Sequence, residues 1–322
     1  MPLVKRSTFN PSKIWRGPHR QTLTPHFFRR PKFPATFSNV ILSLSDGDFL
    51  ELDHYRNDSD TVAILSHGFE GSARRPYILG MGREFFTAGF DIIAWNFRDC
   101  GKQRNLKAYS YHSGKTEDLD EVIKFALSKG YSKVVLIGFS MGGNLSLKYL
   151  GEGRAVPEEI KACVVFSVPC DLESTCLNLD RGFNRVYRDN FISTLRVKLR
   201  HKVDQGLVTH LSFKEIKKLK TFSQFDNELT APLNGFESAV DYWTKCSSGQ
   251  FIPNVKVPSL IVSAHDDPML GKKSYPYEYL EQSHYVFGEF PNSGGHVGFF
   301  DGKFSKTWSE LRALDFVLES LS

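Results

Sequence analysis

Short, almost wholly apolar runs constrain this chain more than any other feature of its sequence. They fall at Val62–Leu65, Phe90–Trp95, Val134–Ile137, Ala162–Phe166, Leu260–Val262 and Tyr285–Phe287. A strand with one wet face alternates apolar and polar residues, whereas consecutive apolar residues suit strands buried on both faces of a parallel sheet. The segments between them read as covering helices. In Thr116–Leu127 the residues Leu119, Val122, Ile123, Ala126 and Leu127 recur at i, i+3, i+4, i+7 and i+8, with acids in the first turn. Upstream, Val40–Leu44 and Phe49–His54 flank Ser45-Asp46-Gly47-Asp48, a hairpin signal that predicts an antiparallel opening pair. The expectation is an α/β chain: a mostly parallel eight-stranded sheet covered by helices on both faces.

Two stretches break the alternation. Residues 1–36 are rich in Pro and Arg and read as an extended arm packed on the core. Residues 170–232 hold long polar stretches with amphipathic pieces such as Phe191–Arg200 and Ser212–Phe222, and read as a helical lid insert over the carboxyl edge of the sheet. The core is then 37–169 together with 233–322. Charge follows the same division. Arg181–Lys220 carries eleven Lys or Arg against three Asp or Glu, an excess larger than the net charge of +5 of the whole chain. A local basic insert does not make a nucleic-acid-binding protein. It reads as solvated lid faces, with peripheral contact to anionic lipid as the other reading.

Five cysteines, Cys100, Cys163, Cys170, Cys176 and Cys246, form no CxxC pair and imply neither a disulfide framework nor a zinc ribbon. With no apolar leader after the basic N-terminus and no run of eighteen apolar residues, the expectation is a soluble cytoplasmic protein without integral membrane association.

The chemistry centres on Gly138-Phe139-Ser140-Met141-Gly142, a GxSxG pattern that follows an apolar strand and opens a helix. Small flanking residues are needed where a serine sits on so sharp a turn. A serine nucleophile needs a base, and the base needs a carboxylate to hold its tautomer. On such a sheet the order is Ser, acid, His. Leu260–Val262 runs into His265-Asp266-Asp267-Pro268, and Tyr285–Phe287 leads to Gly294-Gly295-His296. Asp266 and Asp267 compete for the acid role, and the distance from the strand end favours Asp267. A metal held by His265, Asp266 and Asp267 would need further convergent ligands that the spacing does not supply, so no metal and no cofactor are expected. Oxyanion donors are expected from the backbone N–H groups of Met141, after the nucleophile, and Phe69, in the loop His67-Gly68-Phe69-Glu70. His67 reads as a brace for that loop.

With these residues in place the chain resembles the α/β-hydrolase superfamily, and more closely its YheT-like family of predicted esterases. The resemblance rests on RGPHRQT at Arg16–Thr22, HGFEGS at His67–Ser72 with Tyr77 after it, NFRDCG at Asn96–Gly101, YHSGKTEDL at Tyr111–Leu119, GFSMGGN at Gly138–Asn144, APLNGFESAVDYW at Ala231–Trp243, DDP at Asp266–Pro268 and GGHVGF at Gly294–Phe299. It implies the α/β-hydrolase fold, the triad Ser140, Asp267 and His296, oxyanion donors Phe69 and Met141, and ester hydrolysis. One departure stands out: the family commonly shows NxRGC where this chain has Asp99 before Cys100.

The expected function is a serine carboxylesterase acting on small-molecule esters of short- to medium-chain acyl groups, with acyl transfer to alcohols open to the same intermediate. The alternative is a non-catalytic α/β-hydrolase fold that binds a ligand. Such scaffolds usually lack triad members, and here none is missing.

Overall fold

A computed structural model describes every residue of the chain except Met1, Pro2 and Lys5. Eight strands form one sheet: β1 (Ser38–Ser43), β2 (Phe49–Tyr55), β3 (Thr61–Ser66), β4 (Asp91–Asn96), β5 (Lys133–Phe139), β6 (Ile160–Phe166), β7 (Ser259–Val262) and β8 (Val286–Glu289). Their order is β1-β2-β4-β3-β5-β6-β7-β8. β1 pairs antiparallel with β2, and β2 with β4, while every other neighbour is parallel. The apolar runs are therefore where a parallel sheet needs them: Val62, Ile64, Ile93, Val134, Val164 and Leu260 are fully buried.

Helices cover both faces. α1 (Pro18–Phe28) belongs to the N-terminal segment, α2 (Pro76–Thr87) follows β3, α3 (Thr116–Ser128) follows β4 and α4 (Met141–Gly151) follows β5. The stripe read in the sequence of α3 is its buried face, with Leu119, Val122, Ile123 and Ala126 all inside. One core lies between the sheet and the α3/α4 layer; the other packs the sheet against α2 and the final helix, Trp308–Leu321.

The chain visits β4 on one side of β3 and returns to β5 on the other, which makes the β3/β5 boundary a topological switch point. Ligands of open α/β sheets bind at the carboxyl ends of the strands there. The register aligns those ends: Ser66 lies opposite Gly138, Phe139 opposite Phe166, Phe166 opposite Val262, and Val262 opposite Glu289. The loops that follow β3, β5, β7 and β8 consequently emerge along one edge.

Between β6 and β7 the chain makes a long helical excursion with α5 (Leu172–Leu179), α6 (Arg185–Asp204) and several shorter turns, before Ala239–Cys246 and the approach to β7. Phe191–Arg200 lies inside α6. Ser212–Phe222, by contrast, is interrupted: one turn covers Phe213–Ile216, and a new helix starts at Phe222, capped by the Thr221 side chain. The Arg196 guanidinium bonds the carbonyls of Lys217 and Leu219, taking backbone acceptors that a continuous helix would use internally.

The N-terminal segment also departs from its extended reading. Pro18 stands at the first helical position, where a missing N–H costs nothing, and 18–28 coil into α1 despite a second proline at Pro25. The helix is held at both ends. Gln21 donates to the Phe300 carbonyl and accepts from the Phe300 N–H, both at 2.8 Å, and Arg29 makes a buried ion pair with Glu310.

Candidate active site

Ser140 links β5 to α4 with φ 52° and ψ −119°, a conformation that an L-residue keeps only when its surroundings hold it. Its backbone is pinned on both sides. The N–H donates to Phe166 O of β6 at 2.8 Å, and the carbonyl accepts from Gly143 and Asn144 of α4 at 2.9 and 3.0 Å. The GxSxG spacing has a steric cause. A Cβ on Gly138 would stand 2.6 Å from Gly142 O, and one on Gly142 would stand 2.4 Å from Ser66 O. Neither contact is tolerable.

The acid and the histidine arrive on the loops after β7 and β8. The Asp267 carboxylate accepts from Met269 N at 2.9 Å and Leu270 N at 3.3 Å, and from His296 Nδ1 at 2.9 and 3.1 Å. A proton on Nδ1 leaves Nε2 as the free acceptor of the neutral ring. Asp266 does a different job: its two oxygens take Ser293 Oγ at 3.0 Å and Gly295 N at 2.9 Å, bracing the histidine loop. That loop is fixed again from outside, because His296 N donates to Thr22 Oγ1 of α1 and Val297 N donates to Ser167 Oγ, each at 2.9 Å. Ser140 and His296 line one cavity. No hydrogen bond joins their side chains in this conformation, a contact that is commonly long before substrate docks.

The loop after β3 lies against the serine. A Cβ on Gly68 would come within 3.1 Å of the Ser140 Cβ. Gly68 N donates to Tyr77 OH at 3.0 Å, and Glu70 N donates to Tyr111 OH at 3.0 Å. His67 is wholly buried: Nε2 accepts from Phe97 N at 3.1 Å, so Nδ1 carries the proton and donates to Gly68 O at 2.7 Å. Burial drives its pKa down to about 3, so His67 is a neutral brace. The Phe69 and Met141 N–H groups have no hydrogen-bond acceptor among the described residues.

The cavity beside Ser140 measures about 610 Å³, within the range of small-ligand pockets. Helices of the excursion wall much of it. The Phe69 ring meets Phe191, Phe222 and Tyr111 edge-on, with centroids 5.3–5.7 Å apart. Two ionisable groups from the excursion also reach this wall. Asp226 accepts from Thr230 Oγ1 and Trp243 Nε1, and burial pushes its pKa up to about 6. Lys202 donates to Asn105 Oδ1 and to the Lys107 and Tyr109 carbonyls, and burial pulls its pKa down to about 8. His265, Asp266 and Asp267 do not converge as ligands, and the described residues contain no metal-ligating group of three or more His, Cys, Asp or Glu.

Several residues at this site carried no individual role in the sequence reading. Thr22 and Gln21 stand inside RGPHRQT, and spacing alone does not place Thr22 on the histidine loop or Gln21 on Phe300. Glu70, held at φ 53°, and Lys198 of α6 are joined by a 2.6 Å ion pair, and no local pattern links positions so far apart in the chain. Asp99, which departs from the family pattern, has φ 65°, a region that favours the glycine more common there, and its buried Oδ2 has no partner.

Comparison with known proteins agrees with the fold. The family model for the alpha/beta hydrolase fold matches residues 62–303. The chain is 30% identical to Escherichia coli YheT over 96% of its own length and 92% of that protein's. It is 27% identical to human phospholipase ABHD3 over 94% of its length and 75% of that protein's, and 27% identical to a Saccharomyces cerevisiae monoacylglycerol lipase over 78% of its length and 58% of that protein's. Among solved structures, a Pyrococcus furiosus esterase superposes with a TM-score of 0.63 at 17% identity, over 92% of this chain and 98% of that one.

Proposed function

Because the chain belongs to the alpha/beta-hydrolase fold family, we propose that it is a serine hydrolase of the esterase and lipase type that cleaves carboxylic esters through an acyl-enzyme on Ser140. The observation that carries this reading is the His296–Asp267 pair, bonded at 2.9 Å, on the cavity that Ser140 also lines. Ser140 Oγ attacks the ester carbonyl while His296 Nε2 takes its proton. Asp267 keeps the Nδ1 proton in place and stabilises the imidazolium that forms. The carbonyl oxygen, now negative, takes the N–H groups of Phe69 and Met141, which are otherwise unused. His296 returns its proton to the leaving alcohol, and water then attacks the acyl-enzyme by the same route in reverse. An alcohol in place of that water gives acyl transfer.

The substrate we assign is a small-molecule ester with a short- to medium-chain acyl group, seated among Phe69, Phe191, Phe222 and the other apolar residues of the cavity wall. A phospholipase and a monoacylglycerol lipase among the relatives fit an acyl ester. The excursion over the site serves as a lid. Three of the eleven basic residues of 181–220 are engaged in ion pairs: Arg188 pairs with Asp180 and Asp189, Arg200 with Asp204, and Lys198 with Glu70. Of these, the buried Lys198 fastens the excursion to the core; peripheral contact with anionic lipid would fall to the remaining basic residues. No helix among the described residues is long and apolar enough to cross a membrane. All five cysteines are free, which suits the reducing cytoplasm we assign.

Turnover of p-nitrophenyl esters of increasing acyl length tests the reading. Activity in the wild type and its loss in Ser140→Ala are expected, whereas a folded wild type that hydrolyses none of the series refutes it.

A further inference from the structure

The loop expected to hold the oxyanion carries a buried carboxylate one residue from the donating amide. Glu70 follows Phe69 directly, is 9% exposed and has a left-handed φ of 53°. A negative charge at this position opposes the negative charge that develops on the substrate oxygen, and in a dry site that opposition is poorly screened. Two groups answer it. Tyr111 OH donates to Glu70 Oε1 at 2.6 Å while accepting from Glu70 N, and Lys198 Nζ donates to the same oxygen at 2.6 Å.

These partners differ in where they come from. The other residues that hold the loop all belong to the core: His67 directly follows β3, Tyr77 is in the first turn of α2, and Tyr111 lies between β4 and α3. Lys198 belongs to α6 of the excursion, its side chain is only 12% exposed, and its Nζ also lies 3.2 Å from Cys100 Sγ. It is the charged link from the excursion to the loop among the described ion pairs. The apolar contacts of the Phe69 ring with Phe191 and Phe222 seat the excursion, but they leave the Glu70 charge unanswered.

We propose that Lys198 is a positioning residue for the oxyanion loop: docked against the core, α6 places its ammonium on Glu70, cancels that charge and fixes the Phe69 amide, so that lid position and transition-state stabilisation are coupled. The inference rests on the roles proposed for Ser140 and Phe69. With α6 displaced, Glu70 keeps the neutral Tyr111 hydroxyl but loses its cation, and the loop loses one of its side-chain ties. Esters then bind in the cavity but react slowly. Lys198 touches no reacting atom, so its effect belongs in kcat rather than KM.

The test combines kinetics with amide hydrogen exchange. Lys198→Met is expected to lower kcat by about 10- to 100-fold, the size of effect expected when one buried charge near the transition state loses its partner. KM should stay within about twofold, and exchange of residues 67–72 should quicken while β5 stays protected. Lys198→Arg should restore most of kcat, and adding Glu70→Gln to Lys198→Met should recover part of it by removing the opposing charge. Unchanged exchange at 67–72 in Lys198→Met overturns the coupling, as does a defect confined to KM. A wild type that hydrolyses no ester removes the catalytic half of the proposal together with the function it rests on. The exchange result, which needs no turnover, separates that outcome from failure of the coupling itself.

Discussion

At the scale of single residues, the two adjacent aspartates after β7 take different partners, and Asp267, which the distance from the strand end favours as the acid, is the one bonded to the histidine. Asp267 bonds His296 Nδ1, whereas Asp266 bonds Ser293 Oγ and Gly295 N. Replacing Asp267 by Asn puts an amide where the carboxylate accepted the Nδ1 proton, so the wrong tautomer is favoured. A kcat loss on the order of 10⁴ is expected, by analogy with the same change in the serine proteases. Asp266→Asn weakens charge-assisted bonds to the loop, which contribute about 1.5–3 kcal/mol, and its kcat loss should stay below about 100-fold. Steady-state kinetics of the two variants side by side checks both figures. Serine, histidine and glycine positions were legible because each answers a local demand: Gly138 and Gly142 exist to let two backbones approach. Glu70–Lys198 and Thr22–His296 were not legible, because each pairs segments far apart in sequence and neither side chain announces its partner.

Among elements, the strands were legible because burial on both faces writes itself as consecutive apolar residues, and α3 because its stripe has the helical period. The excursion between β6 and β7 was legible only as a region. Its stability depends on buried polar groups whose cost is invisible before packing is known, and Asp226 is the clearest case. Burial raises its pKa from an ordinary aspartate value to about 6. Because the folded value lies above the unfolded one, the folded state binds more protons between pH 3.8 and 6. Stability from this group is therefore full below pH 3.8 and is lost as pH rises through 6. An upward shift of about two units corresponds to roughly 3 kcal/mol. Asp226→Asn can keep the Trp243 bond, reverse the Thr230 bond and carry no charge. Its stability relative to wild type should therefore improve as pH rises from 4 to 7, by up to about 3 kcal/mol. Urea unfolding of both proteins at the two pH values checks the sign; a difference independent of pH contradicts it.

Across the whole molecule, the N-terminal segment and the C-terminal helix close on each other around the site. α1 grips the histidine loop through Thr22 and the 299–300 turn through Gln21, and its end is fixed by the buried Arg29–Glu310 pair, each side chain 2% exposed. Breaking a buried pair strands the other charge, so Arg29→Met should lower unfolding free energy by about 3 kcal/mol. Urea denaturation reads that loss directly, and an unchanged midpoint would show that α1 adds little to the fold. Proline-rich composition hid this helix, since Pro18 is tolerated only because it falls at the first helical position. Ser140, His296, Phe69 and Met141 line one cavity, and the proposed reaction requires Ser140 to be the nucleophile there. The most direct test is fluorophosphonate labelling of the native protein followed by peptide mass mapping. A single adduct on Ser140, lost in His296→Ala, is expected; an adduct on another serine, or none on the folded wild type, would contradict Ser140 as the nucleophile.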